Sequence, residues 1–374
     1  MKRQKYIGID LGTFTSNHSG GKDEVAYHIL RGMAENGHAS RILVLCTSDL
    51  NDRIRKIHEN FKIVNYPNIK RLGRFISKKW LRNVFLKFLC YRYSFLSILF
   101  TDKGSPNVKL PFRTIVIPHD IQVYEMGRIP GIVYSETLAT RLKKMIQDDF
   151  FYRDVIVAIS EFDKHTMERY FAKYETRICQ IYNPVRFPFF CEKSNTRKKY
   201  ITAINIQWIH KNIVTLIRAF SSIAQKVPYD LMLVGKKGDS ASVIDAAIEK
   251  SPYRERILTP GFVTQEKLEQ VIRETALYVN PSYFEGFGMV AVEMMGVGVP
   301  TLVADNTAQR ETTLSLCDYY RVAGDAENLA NAVLTCMEHS KTVDEMHEIA
   351  YKIREKYDYR RIAEKYYSLL TDVC

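Results

Sequence analysis

The chain has 374 residues, enough for about two domains that each bury a core of their own. With 46% hydrophobic and 26% charged residues it sits at the globular average, which excludes disordered, collagen-like and fibrous classes. The net charge is +12, and residues 1–190 hold 31 Lys and Arg against 18 Asp and Glu while residues 191–374 hold 23 against 24, so the excess sits in the first half and calls for an anionic partner there.

Strand-like apolar runs alternate with amphipathic helical stretches, the pattern of α/β domains with parallel sheets. Tyr6 to Leu11 reads as a strand, Lys22 to Asn36 as a helix and Arg41 to Cys46 as the next strand. Thr114 to Ile117 and Val155 to Ile159 are further strands. Pro184, Pro188 and a polar run make Asn183 to Lys199 a linker. A second series follows: strand Tyr200 to Asn205, helix Ile213 to Ala224, strand Asp230 to Val234, helix Ser240 to Glu249, strand Arg256 to Thr259 and helix Gln265 to Glu274. Strand Ala276 to Asn280, helix Met289 to Met295, strand Thr301 to Ala304, helix Ala326 to His339 and a last helix near Tyr359 to Leu370 complete it. Ligands of such sheets bind beyond the carboxyl ends of the strands.

The most apolar run, Phe95 to Phe100, is far short of the roughly 20 residues of a membrane-spanning helix. Asp10 interrupts the apolar stretch after the basic N-terminus too early for a signal peptide, so a cytoplasmic protein is expected. Seven scattered cysteines with no C-x-x-C pair argue against a disulfide framework or a zinc site.

Ile7-Gly8-Ile9-Asp10-Leu11-Gly12-Thr13 looks like the first phosphate loop of the actin and sugar-kinase ATPases, but the other loops of that fold are missing. The stronger reading there is a strand, a loop, and Gly20-Gly21 opening a helix whose free N–H groups suit a phosphate; a plain strand-to-helix turn is the alternative. The most informative segment is Pro281 to Pro300, PSYFEGFGMVAVEMMGVGVP. Glu285 lies in a glycine-containing loop at a helix N-terminus, and Glu293 lies eight residues on, among Val, Met and Ala. A carboxylate on so apolar a helix needs hydrogen-bond donors, and sugar hydroxyls supply them. Gly286 and Gly288 leave the intervening amides free to face a diphosphate. An Arg partner for Glu293 and a capping role for Glu285 are the competing explanation.

This segment resembles the E-x7-E signature of the retaining glycosyltransferases of family 4. Further matches run in the family's order: Gly20-Gly21, Glu35-Asn36-Gly37-His38, Ile117-Pro118-His119-Asp120, Val157 to Phe162, Ile181 to Val185, Trp208-Ile209-His210-Lys211-Asn212 as its H-K-N variant, Leu233-Val234-Gly235 and Pro260 to Val263. One departure is that Ile204 to His210 holds no Arg ahead of Lys211.

The resemblance implies a GT-B fold: two facing Rossmann-like domains with a central cleft, an acceptor-side domain over 1–185, a nucleotide-sugar domain over 186–355, and a C-terminal helix over 356–374 that returns to the first domain. It also implies transfer of a sugar, with retention, from a GDP-, UDP- or dTDP-sugar to a glycan or lipid-linked glycan in bacterial surface polysaccharide (O-antigen or capsule) synthesis. By the same resemblance Glu285, His119 and Lys211 are catalytic. Gly20, Gly21, Asn205, Gly235, Phe262, Val263, Gly286, Phe287, Gly288, Met289 and Glu293 bind the donor together with Lys211 and Glu285. No cofactor is implied, and with no Asp-x-Asp sequence and no ligand-spaced histidines a metal-independent reaction is expected. A sugar-nucleotide epimerase or hydrolase of the same fold is the alternative.

Residues 69–100 interleave Lys and Arg with apolar side chains at helical spacing. Such a helix suits an anionic lipid surface, where each basic side chain adds about 1 kcal/mol. Arg74, Lys78, Lys79, Trp80 and Arg82 are the expected contacts, with the protein peripheral on the inner face of the cell membrane; an ordinary core stripe with a solvated basic face is the competing reading. Basic residues with aromatics also raise nucleic acid as a rival partner, but no nucleic-acid motif accompanies them and none is expected to bind.

Overall fold

A computed structural model of the chain describes residues 4–15, 20–67, 78–119, 121–191, 198–321 and 323–372, apart from the side chains of Lys78 and Lys79. Contacts divide the chain into two units, Met1–Tyr124 with Ser135–Arg186 and Tyr357–Cys374, and Glu125–Tyr134 with Phe187–Lys356.

The first unit is built on strands β1 (Lys5–Asp10), β2 (Ile42–Cys46), β3 (Lys62–Asn65), β4 (Ser94–Phe100), β5 (Arg113–Val116), β6 (Val155–Ala158) and β7 (Arg177–Gln180). They pair in parallel in the order β3-β2-β1-β4-β5-β6-β7. Helices α1 (Gly21–Glu35), α2 (Asn51–Ile57), α3 (Lys78–Arg92), α4 (Glu136–Tyr152) and α5 (Glu161–Phe171) connect them. The run Ile-Leu-Val-Leu-Cys of β2 is buried at every position, as a central parallel strand with both faces covered requires. Of the stretch 69–100 expected as one amphipathic helix, residues 69–77 lie outside the described residues and the rest forms two elements: α3 ends at Arg92, and the apolar residues after it form β4, paired with β1 and β5.

The second unit has strands β8 (Tyr200–Ile204), β9 (Asp230–Val234), β10 (Ile257–Gly261), β11 (Thr275–Asn280), β12 (Thr301–Ala304) and β13 (Asp318–Tyr320), parallel in the order β10-β9-β8-β11-β12-β13. Helices α6 (Ile213–Ile223), α7 (Ala241–Glu249), α8 (Gln265–Glu274), α9 (Met289–Gly296), α10 (Gln309–Thr312), α11 (Ala326–Glu338) and α12 (Val343–Tyr357) flank it. Its main core joins Leu216, Ile217 and Phe220 of α6 to Leu231, Leu233, Leu277, Val279 and Leu302 of the sheet. The last helix, α13 (Tyr359–Thr371), packs on α1 of the first unit.

Both sheets reverse strand order once, between β1 and β4 and between β8 and β11. Loops leaving the two neighbouring strands there diverge to opposite faces and open a crevice, the usual ligand position of doubly wound sheets. The segment expected as a polar linker is anchored at its start: Cys191 N–H donates to Val297 O at 2.8 Å, and the Arg354 guanidinium lies over the Phe187 and Phe190 rings.

Candidate functional site

In the second unit the loops at the strand-order reversal carry Lys211 and Glu285. Lys211 ends a short 3-10 turn after β8, and Asn212 then takes a left-handed conformation (φ 56°) to start α6. Asn212 Nδ2 donates to Pro281 O at 3.0 Å, which ties this turn to the loop after β11. Glu285 sits in that loop, and Gly288, left-handed at φ 81°, caps α9. Because β8 and β11 are hydrogen-bonded neighbours, residues 74 apart in sequence meet: Lys211 Nζ lies 2.7 Å from Glu285 Oε1. Their side chains are 17% and 11% exposed.

Glu285 Oε1 also accepts from Ser282 Oγ at 2.8 Å and Asn280 Nδ2 at 3.2 Å, and the Glu285 N–H donates to Thr307 Oγ1 at 3.0 Å. Burial by itself would raise the Glu285 pKa, but Lys211, the nearby His210 and the Ser282 hydroxyl hold the carboxyl below its ordinary value. The glutamate is ionised at neutral pH. Glu293 is partly buried in the second turn of α9, and Tyr278 of β11 has its pKa raised by burial and then by the charges of Glu285 and Glu293. Phe287 is buried, so that residue offers a ligand its backbone only; Gly286 and Met289 are partly buried.

Asn205, Gly235 and Phe262-Val263 follow β8, β9 and β10 in a row. Asn205 N–H donates to Val234 O and Gly235 N–H to Gly261 O, each at 2.9 Å. The Phe262 ring is exposed, while Val263 packs on Met232, Val234 and Val271. Asn280, Ser282 and Thr307 were missed from sequence. The first two lie five and three residues before Glu285, a signal within reach; Thr307 lies 22 residues beyond it with no local signature.

In the first unit Gly20 precedes α1 and Gly21 opens it, with the Gly20 N–H held by Asp23 Oδ2 at 3.2 Å. Lys22 pairs with Asp102, which follows β4, so these loops flank the first unit's own strand-order reversal. His119 follows β5 in a left-handed conformation (φ 57°), and its Nε2 lies 2.9 Å from Thr101 O. Burial disfavours the imidazolium and, although Asp102 opposes it, pushes the His119 pKa down to about 4. Asp102, Thr101 and Lys22 carried no sequence signal as partners of these residues.

Among the expected membrane contacts, Arg74 lies outside the described residues, Lys78 and Lys79 begin α3, and Trp80 is exposed. Arg82 turns inward. Its NH2 lies 3.0 Å from Asp10 Oδ2 with side chains 16% and 1% exposed, and it is corrected to a structural residue, because a buried carboxylate needs a charged partner. Tyr66 Oη (3.0 Å) and Gly12 N–H (2.6 Å) donate to the same carboxylate, so the phosphate-loop look-alike Ile7 to Thr13 frames a buried ion pair. The exposed apolar face of α3 is Trp80, Val84, Phe88 and Tyr91. Among the described residues, no helix is long and apolar enough to cross a membrane.

Two doubly wound parallel sheets with helices on their faces are the GT-B fold, and solved structures sharing it cover nearly the whole chain. Sucrose-phosphate synthase from Thermosynechococcus elongatus is 16% identical, covers 98% of each chain and has a TM-score of 0.76. Anabaena HepE, solved in complex with UDP and glucose, is 17% identical over 99% of this chain and 100% of its own, with a TM-score of 0.73. Residues 188–353, nearly the whole of the second unit, match the family model of glycosyl transferases group 1. The O-antigen chain mannosyltransferase B of Escherichia coli is 24% identical over 222 residues, 55% of this chain and 57% of that protein. The matches span 22% to 57% of the length of the first curated relatives.

Proposed function

We propose that this chain is a retaining, metal-independent glycosyltransferase of family 4. It moves a sugar from a nucleotide diphosphate to a hydroxyl of a glycan or lipid-linked glycan in bacterial surface polysaccharide synthesis. The observation that carries the reading is the Lys211–Glu285 pair at the strand-order reversal, an ammonium and an ionised carboxylate held 2.7 Å apart beside the N-terminus of α9. As the bond from the anomeric carbon to the diphosphate breaks, its electron pair leaves with the diphosphate, and Lys211 and the Gly286 to Met289 amides meet that charge where it grows. Glu285 accepts from donor-sugar hydroxyls, and Glu293 accepts from ribose hydroxyls. Asn205, Gly235, Phe262 and Val263 line the base at the adjoining strand ends. In the first unit Gly21 offers its amide to a phosphate group, and neutral His119 offers a hydrogen bond to a sugar hydroxyl. The names of the O-antigen mannosyltransferase and of the UDP complex of HepE support a nucleotide-sugar donor and a polysaccharide product.

The acceptor is proposed to be lipid-linked and the protein peripheral on the cytoplasmic face of the membrane. This is supported by the exposed apolar face of α3 together with exposed Lys87 and Arg92, within residues 60–101 that hold nine Lys and Arg and no Asp or Glu.

The test is thermal unfolding with UDP, GDP, dTDP, ADP and CDP. A diphosphate at 100 times its Kd stabilises by about 2.7 kcal/mol. One of the five is expected to raise the midpoint in the wild type and to lose its effect in Lys211→Ala. No response to any of them sinks the reading.

A further inference from the structure

The loop that carries Glu285 is pinned to the rest of the second unit from two sides. Pro281 O accepts from Asn212 Nδ2 at 3.0 Å and from Tyr320 Oη at 3.2 Å. Two residues on, the Tyr283 N–H donates to His210 O at 2.8 Å, directly joining this loop to the turn that ends in Lys211. The Tyr283 ring is enclosed by two glycines from distant parts of the chain. A Cβ on Gly131 would lie 2.7 Å from Tyr283 Cδ2 and 3.2 Å from His210 Cα; one on Gly324 would lie 2.8 Å from Tyr283 Oη and 3.2 Å from Cε1. Both glycines are left-handed, at φ 76° and 96°. Gly131 belongs to Glu125–Tyr134, a segment preceded and followed by first-unit chain that itself belongs to the second unit.

We infer that Gly131 and Gly324 are positioning residues of the Lys211–Glu285 site, acting through Tyr283. By leaving room for the ring, they allow the Tyr283–His210 bond to hold the lysine turn against the glutamate loop. The segment 125–134 therefore contributes to a site whose charged groups come from elsewhere. Its importance for transfer rests on the donor-site reading above; the clamp itself does not.

The test is amide exchange over residues 281–287 in the full chain, for wild type, Gly131→Ala, Tyr283→Ala and the double variant. An added methyl forced into a packed neighbour raises local opening, so exchange at Tyr283 in Gly131→Ala is expected to quicken about tenfold or more. In the Tyr283→Ala background the ring overlap is gone and only the 3.2 Å approach to His210 Cα and the left-handed strain at residue 131 remain, so the same methyl is expected to quicken exchange several-fold less than it does in the wild type. Unchanged exchange in Gly131→Ala overturns the inference. So does an equal effect in both backgrounds, which would assign it to backbone strain at residue 131. Should Gly131→Ala fail to fold, Gly324→Ala with and without Tyr283→Phe asks the same question, since removing Oη relieves that overlap. The functional half is read separately as the midpoint gain given by UDP, GDP or dTDP. Gly131→Ala is expected to lose most of it, and a gain equal to the wild type's refutes a role at the donor site. If no diphosphate moves the wild type while the exchange result holds, the transferase reading fails and the clamp stands.

Discussion

Replacing Lys211 by Met keeps the length of the side chain and removes its charge, which isolates the electrostatic part of the site. Breaking a buried ion pair from one side costs about 3–5 kcal/mol. Here the side chains are 17% and 11% exposed, and Ser282 and Asn280 still donate to Glu285, so a loss of about 2–3 kcal/mol is expected. For a unit of this size that is a midpoint drop of roughly 4–12 °C. Of the chain's two tryptophans one lies in each unit, so in a Trp80→Phe background the emission of Trp208 reports the second unit alone.

The pH dependence gives the sign. In the wild type the Glu285 carboxyl is held below its ordinary value, so its stabilisation is present above the unfolded pKa of about 4.3 and is lost as pH falls through the folded value. Without Lys211, burial dominates and the carboxyl titrates above its ordinary range; the variant carries an uncompensated charge at pH 7 and is relieved of it on acidification. The gap between wild type and variant should therefore narrow from about pH 7 to about pH 4. Transfer should fall about 10²–10³-fold, the loss typical of one preorganised group facing a developing negative charge. A gap equal at both pH values, or turnover near that of the wild type, refutes the reasoning.

Arg82→Met should cost the first unit about 3 kcal/mol by stranding Asp10, and the double variant with Asp10→Asn should recover most of that in a urea titration; additive losses would contradict the pairing. Replacing Trp80 and Phe88 by Ser should abolish sedimentation with phosphatidylglycerol vesicles without moving the unfolding midpoint, and undiminished binding would count against an α3 membrane face. His119 titrates at about 4, so transfer should show no His119-dependent inflection between about pH 5.5 and 7.5, and one near pH 6.5 that His119→Gln removes would refute the assignment. The same depressed value means that stability is lost as pH falls from about 6.5 toward 4, a loss that His119→Gln should lessen in acid unfolding.

Several elements were legible because their local pattern and their burial agree. The strand Tyr200 to Asn205 and the helix Gln265 to Glu274 stand in the structure within a residue of their expected ends, and α9 follows the glycines of the Glu285 loop as expected. The four-residue strands β3 and β7 were not legible: each lies at an edge of its sheet, with no buried residue and too short for a period to register. Strand β4 was absorbed into the preceding amphipathic pattern, since Phe95 to Phe100 continues the apolar content of α3 and only pairing with β1 separates them. Arg82 was read as a surface cation because its neighbours are basic; the group that draws it inward, Asp10, lies 72 residues away.

The residue types of the site were set by local sequence: a lysine after one strand, a glutamate and two glycines after another, an apolar helix bearing a second glutamate. Their relation was decided by sheet order. Lys211 and Glu285 touch because β11 crosses the sheet to lie beside β8, and Gly131 meets Tyr283 because a segment from the first half of the chain packs on the second unit. Periodicity and spacing report interactions within a few residues, whereas strand adjacency is a long-range choice made by burying both faces of a sheet, and that choice brings the charges together.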